Sequence, residues 1–381
     1  MKSSVLATVL ATVLLSGAAQ AYPDPINFSG DLTYRTEQIK EEQGVVAPIY
    51  TSDQLRQRIK FRLRGDVKLN DSTAAGFRFS TGGTTSAATV SRFNTVGNYS
   101  TGQTIMLDLA YIKYTANEMV TLFGGKMPNP FYQVNDELMS LAVTPEGAAL
   151  KYSQKFDATE VFFNTGVAWL LERADTTEAQ SSDNDVQLVG TQLGANYKAD
   201  SWNALVVVSS YLFNSIQGSA APSTTTGGNT YTGANYTYGY NLTAVGLEVG
   251  TKVSEMPLTV FAESSTNGAE NVSNNKTATT FGIKLNKLKD KGTWAFSVDT
   301  REIQKDATPG VLTDGDSGAA SNLSMLRARI GYQLGDNSNI YFSYYDGKKN
   351  IATMATAAGS VDTGSVATKS NKMMLDFNVN F

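Results

Sequence analysis

The sequence predicts an all-β protein, a transmembrane antiparallel up-and-down β-barrel of about sixteen strands. Three observations carry this. Short stretches in which apolar and polar residues alternate recur along the whole chain. The connections between them alternate without a break between short turns and long loops, as a barrel with one turn-bearing and one loop-bearing rim must produce. The last such stretch runs to a terminal aromatic, Phe381.

The first 21 residues read as a cleaved export signal, with Lys2 as the positive start, Val5 to Leu15 as the apolar core and Ala19-Gln20-Ala21 as the cleavage site. Residues 22–381 are then expected to form a single barrel domain. Because a strand turns successive side chains to opposite faces, each stretch has a predicted outward face. Phe28 to Glu37 shows Phe28, Leu32 and Tyr34. Gln57 to Asn70 is the most legible: Ile59, Phe61, Leu63, Val67 and Leu69 on one face, and Arg58, Lys60, Arg62, Arg64, Asp66 and Lys68 on the other. Ala75 to Gly82 shows Phe77 and Phe79; Ile105 to Tyr114 shows Leu107, Leu109 and Tyr111; Val120 to Lys126 is weaker. Gly147 to Ser153, Thr159 to Trp169, Val186 to Ala199 and Trp202 to Phe213 continue the series with Leu150, Phe163, Leu193 and Val206 outward. Leu242 to Val253 shows Leu247, whereas the face of Leu258 to Thr266 is ambiguous. Thr279 to Asn286, Thr293 to Glu302, Leu323 to Leu334, Ile340 to Gly347 and Lys372 to Phe381 complete the set, showing Phe281, Phe296, Ile330, Phe342 and Phe377. Counts of fourteen or eighteen remain open, since Val120 to Lys126 is weak and Asn229 to Tyr240 could hold a further pair.

Composition narrows the function. Charges nearly balance, at 31 Lys+Arg against 35 Asp+Glu, so nucleic acid is not an expected partner. There is no cysteine and no histidine, which removes disulfides, thiolate chemistry and the commonest general base and metal ligand. No catalytic residue, metal site or cofactor is expected. Asp314-Gly315-Asp316-Ser317-Gly318 offers oxygen ligands but not the EF-hand spacing, and reads as a flexible loop. Trp169, Trp202 and Trp294 all fall at strand ends, where an interfacial girdle would place them. A chain passing lipid with strands must close them, because no backbone amide can be left unpaired there.

The stretch Leu375-Asp376-Phe377-Asn378-Val379-Asn380-Phe381 resembles the C-terminal signature of Gram-negative outer-membrane proteins, in which the terminal aromatic is read by the barrel-assembly machinery. Leu107-Asp108-Leu109-Ala110-Tyr111-Ile112, Gly125-Lys126-Met127-Pro128-Asn129-Pro130-Phe131 and Thr144-Pro145-Glu146-Gly147-Ala148-Ala149-Leu150-Lys151-Tyr152 resemble the putative porin family of Gram-negative bacteria, and so does the basic strand around Arg56 to Arg64. The resemblance implies an outer-membrane diffusion channel for small hydrophilic solutes, a homotrimer, embedded among outer-membrane lipid and lipopolysaccharide. A solute-specific channel, or a structural or adhesive barrel using loops such as Gln217 to Tyr240, is the alternative.

About sixteen strands enclose a water-filled lumen, and selectivity then needs a constriction. Met127 to Glu146 is the third long loop, and by resemblance to general porins it is expected to fold into the channel. Pro128 and Pro130 would stiffen its start, and Asp136, Glu137 and Glu146 would supply negative charge. Facing it, the pore-lining basic residues are expected to be Arg35, Arg58, Lys60, Arg62, Arg64 and Arg78, with Arg301, Arg327 and Arg329 brought near by closure. The expectation is a transverse field, basic wall against acidic loop.

Overall fold

The computed structural model describes residues 26–43, 50–82, 91–97, 99, 101–136, 138–172, 185–222, 227–318, 320–351 and 366–381. The expected export signal and Glu137 lie outside them. Among the described residues, seventeen strands hydrogen-bond into one sheet. One is the two-residue strand Asn94–Thr95, which pairs with the second strand above the short third one. The other sixteen form the wall: β1 (Asn27–Gln43), β2 (Tyr50–Lys68), β3 (Thr73–Thr81), β4 (Ile105–Thr115), β5 (Val120–Lys126), β6 (Glu146–Phe156), β7 (Thr159–Leu171), β8 (Val186–Lys198), β9 (Trp202–Asn214), β10 (Tyr240–Val253), β11 (Met256–Asn267), β12 (Thr277–Leu285), β13 (Trp294–Ile303), β14 (Leu323–Gly335), β15 (Ser338–Ile351) and β16 (Val366–Asn380).

Each pairs antiparallel with its chain neighbour, and β16 returns to β1 from Asp31↔Asn380 to Gln43↔Thr368, closing the barrel. No helix among the described residues is long and apolar enough to cross a membrane. The short turns work because asparagine can replace the missing backbone acceptor. The Oδ1 of Asn70 accepts the amides of Ser72 and Thr73, and that of Asn117 accepts those of Met119 and Val120. The segment 229–240, a candidate for extra barrel strands, instead holds a separate two-residue hairpin, Tyr231–Thr232 with Asn235–Tyr236.

The outside of the wall is apolar and exposed, with Leu32, Leu193, Val208, Leu247, Phe281, Phe342 and Phe377 among the outward residues. Its short-turn rim carries aromatic pairs: Trp202 lies 5.2 Å from Tyr197 and Trp294 4.5 Å from Tyr332, centroid to centroid. Phe381 closes the seam. Its backbone exchanges two hydrogen bonds with Gly30, at 2.8 and 3.0 Å, and its ring stacks beside Phe61 over the position a Gly30 side chain would occupy.

One predicted face is wrong. The β3–β4 register shifts at Arg78/Phe79, so that Asp108 and Leu109 in succession are both buried. Beyond this β-bulge the alternation inverts. Leu107 stays outward, but Leu109 and Tyr111 face the lumen, where the Tyr111 hydroxyl accepts Nη2 of Arg64 at 2.9 Å.

Candidate functional site

The site is the barrel lumen at the height where loops fold into it. The β5–β6 loop, residues 127–145, turns inward. Phe131 lies flat on Gly190 of β8, where any side chain would collide with its ring. The backbone of Tyr132 is clamped by the Gln192 side chain, which accepts its N–H at 2.7 Å and donates to its carbonyl at 2.9 Å. Val134 is buried against Leu205, Val207 and Phe261. Asn135 donates to Thr280 at 2.8 Å, and Asp136 reaches Arg327 at 3.0 Å and Arg301 at 3.6 Å.

A second loop does the same. Residues 304–322, between β13 and β14, also fold inward and bring two carboxylates onto the wall. Asp314 takes Arg301 at 3.0 Å, and Asp316 takes Arg35 at 2.6 and 3.2 Å. The loops brace each other: the amide of Ser140 donates to Leu312 O at 2.6 Å, and Thr308 Oγ1 to Leu138 O at 3.2 Å. The β9–β10 loop joins them through Asn229, whose Nδ2 donates to the carbonyls of Lys305 and Thr308, both at 2.8 Å. The result is one plug across part of the bore, with its own apolar core of Met139, Val143, Tyr236 and Leu312 against Leu188 and Tyr211 of the wall.

Two charge clusters hold this plug. In one, Arg301 and Arg327 are shared by Asp136, Asp299 and Asp314. In the other, Arg35 sits between Asp316 and Asp376, while Glu37 serves Arg56, Arg58 and Lys372. Burial pushes the Asp314 carboxyl up, Asp136 adds to it, and Arg301 offsets part. Burial also opposes ionisation of Asp316, but Arg35 and Lys372 outweigh it and hold that carboxyl well below the usual carboxylate range.

The expected site residues therefore divide. Arg35, Arg301 and Arg327 are at most 9% exposed: they are the anchors under the two loops. Arg58, Lys60, Arg62 and Arg64 form one inward row on β2, each near a carboxylate: Glu37 for Arg58 at 3.5 Å, Asp31 for Lys60 at 3.4 Å and Arg62 at 2.6 Å, and Asp66 for Arg64 at 2.6 Å. Arg78 shares buried Asp108 with Arg92. Arg329 makes no ion pair among the described residues and lies 5.0 Å over the Tyr341 ring. Phe93 adds an aromatic face within 5.4 Å of Arg35, Arg58 and Lys60.

On the acidic side, Asp136 is docked on Arg301 and Arg327 rather than standing across the bore from them. Glu146 is not in the constriction: it opens β6 on the outward side, ion-paired with Lys126 at 2.6 Å. The carboxylates of the far wall come from residues that sequence reasoning missed, Glu248 on β10 and Glu263 on β11. Alternation around Leu247 and Val249 could have flagged Glu248 as inward. Asp314 and Asp316 carried only a weak oxygen-ligand signal.

A closed barrel, apolar outside and charged inside, with loops narrowing its bore, defines an outer-membrane channel. Residues 17–244 match the family model described as Putative porin, and the chain belongs to that family. No curated protein matches the sequence. Among solved structures, the chain is similar to OprB of Pseudomonas putida, at 12% identity and a TM-score of 0.54 over 93% of this chain and 94% of that one. It is also similar to the outer membrane channel DcaP of Acinetobacter baumannii, at 15% identity and a TM-score of 0.52 over 96% and 99%.

Proposed function

We propose that this porin passes small hydrophilic solutes and ions passively across the outer membrane, and that the plug sets its selectivity. The observation that carries this is the docking of two loops, through Asp136, Asp314 and Asp316, onto an arginine wall inside a closed barrel. The arrangement leaves the row from Arg58 to Arg64, with Arg78 and Arg329, on one side of the bore and Glu248 on the other. Charges fixed on facing walls order polar solutes and bias ion passage.

The chain acts as a channel and not as an enzyme, consistent with a sequence without histidine or cysteine. It is made with a cleaved signal, residues 1–21, leaving residues 22–381 as one barrel domain. Assembly proceeds through recognition of Phe381 by the barrel-assembly machinery, and the barrel works as a homotrimer among lipid and lipopolysaccharide. The Tyr- and Thr-rich segment that an adhesive role would need free is instead packed: Tyr236 and Tyr240 are buried, and Asn229 is bonded into the plug. Planar-bilayer recording under a salt gradient tests the proposal. Stepwise currents in three equal substeps support it, and silence from a folded barrel would refute it.

A further inference from the structure

On the outer face of the barrel, near the long-loop rim, strands β12 to β16 hold an open groove of about 630 Å³. It belongs to the outside of the wall. Its exposed side chains share the face of Phe281 and Leu326, and no described residue of the plug lines it. Strand register explains its make-up. Glu302, Ser324, Lys348 and Lys369 lie side by side in one row across β13, β14, β15 and β16. The next row towards the short turns reads Thr300, Leu326, Asp346 and Asn371. Two rows further on, the wall is apolar, with Phe296, Ile330, Phe342 and Leu375. The groove therefore straddles the upper edge of the apolar band.

The fold does not account for the lysine pair. Lys348 and Lys369 are directly opposed across β15 and β16, and both are exposed. Opposed residues of an antiparallel pair stand about 4.5–5.5 Å apart at Cβ, and like charges there are destabilising. Neither lysine has an ion-pair partner among the described residues. Inward lysines of the same two strands do: Lys349 takes Glu41 at 3.2 Å and Lys372 takes Glu37 at 3.6 Å. Asp346, one row below, is engaged by Asn371 Nδ2 at 2.6 Å. Two ammonium groups held side by side match one phosphate, whose oxygens can accept from both.

The rest of the lining indicates what carries the phosphate. Phe281, 53% exposed, and Leu326 continue the groove into the apolar band, which suits hydrocarbon chains. Beside the lysines, Ser324, Thr300 and Glu302 offer hydroxyl and carboxylate groups to the hydroxyls and amides of a sugar. The long loops of such barrels are external, so the groove faces the outer leaflet. We infer that Lys348 and Lys369 clamp the phosphate of an outer-leaflet phosphorylated glycolipid, with Ser324 and Glu302 on its sugar and Phe281 and Leu326 against its acyl chains. This gives the proposed lipopolysaccharide surroundings one defined contact. It rests on that reading for the lipid present and does not depend on conduction.

The test uses the refolded full-length barrel in detergent, with diphosphorylated lipid A as the probe. Native mass spectrometry counts bound lipid, and heated gels give the unfolding temperature. Wild type should retain a single lipid A and melt higher with it. Lys348→Gln/Lys369→Gln should weaken binding at least tenfold, yet melt no lower than wild type without lipid, because a like-charge pair is gone. Glu302→Gln, an independent variant, should weaken binding severalfold. Lys40→Gln, on the outer face of β1 and paired with Asp53 at 3.4 Å, should leave binding unchanged. Undiminished binding by the double lysine variant, an equal loss in Lys40→Gln, equal binding of phosphatidylethanolamine, or full competition by millimolar inorganic phosphate would each overturn the site. A barrel that binds lipid A and carries no current would refute the channel and leave the site standing; a conducting barrel that binds no lipid A would do the reverse.

Discussion

Replacing Asp316 by asparagine removes a single charge from the β13–β14 loop and leaves its shape. The Asp316 carboxylate takes two guanidinium nitrogens of Arg35, at 2.6 and 3.2 Å, and lies 3.8 Å from Lys372 Nζ. Arg35 is 4% exposed, so its charge cannot turn to water when that partner is lost. Removing one member of a buried pair costs roughly 3–5 kcal/mol. Here Arg35 keeps Asp376 at 2.6 Å, and the Asp316 side chain is itself 32% exposed. The effect on loop docking should therefore be smaller, about 2 kcal/mol, or about 30-fold in the ratio of docked to released loop. Asp316→Asn should open to a larger or flickering single-channel conductance, with the reversal potential moved towards anions, since one negative charge is lost beside Arg35 and Lys372. Gel migration of the unheated barrel should not change, because Asp316 is outside the strand ladder. An Asp316→Asn channel with wild-type conductance and reversal potential would refute docking through this carboxylate.

Other perturbations test other parts. Asp108→Asn leaves Arg78 and buried Arg92 without the carboxylate that both contact, at 2.6 and 2.8 Å; it should cost roughly 3–5 kcal/mol and lower the temperature at which the barrel unfolds on heated gels. Neutralising Arg58 and Arg62 to glutamine should shift the reversal potential towards cations, and an unchanged value would exclude a field from the β2 row. Gly30→Val forces the Phe381 ring off the seam, at about 1–3 kcal/mol, read as a lower melting temperature. The pH response follows from the two loop carboxyls. The Asp314 carboxyl is raised by burial and by Asp136, so docking is strengthened as pH falls through its value. The Asp316 carboxyl is held low by Arg35 and Lys372 against burial, so its contribution is present above the ordinary aspartate range and is lost only when pH falls below it. Acidification from neutrality to about pH 4, near the ordinary aspartate value, should therefore not raise conductance; opening in mild acid would contradict this.

The wall was legible because lipid demands an outward apolar residue at every second position, a signal that needs no knowledge of partners. Strand ends were less so. β1 runs on to Gln43 and β16 starts at Val366, where both faces are polar and alternation vanishes. The inversion at Asp108-Leu109 was hidden for a related reason: a bulge keeps the residue types and changes only which way they point. The constriction was legible in part. The inward turn of residues 127–145 and the basic β2 row followed from resemblance and period. The roles of Arg35 and Arg301 did not, since whether an arginine borders water or is covered depends on a loop carboxylate far away in sequence, as Asp316 is from Arg35. Glu248 could have been read as inward from its alternation with Leu247 and Val249, whereas Glu263 lies in a stretch whose face the sequence leaves ambiguous.

The most direct test of a charged, loop-narrowed bore is the reversal potential of single channels under a salt gradient, comparing wild type with Asp136→Asn/Asp316→Asn. The account requires stepwise wild-type currents and, in the double variant, a larger conductance displaced towards anions. A folded wild-type barrel without current, or a double variant indistinguishable from wild type, would contradict it.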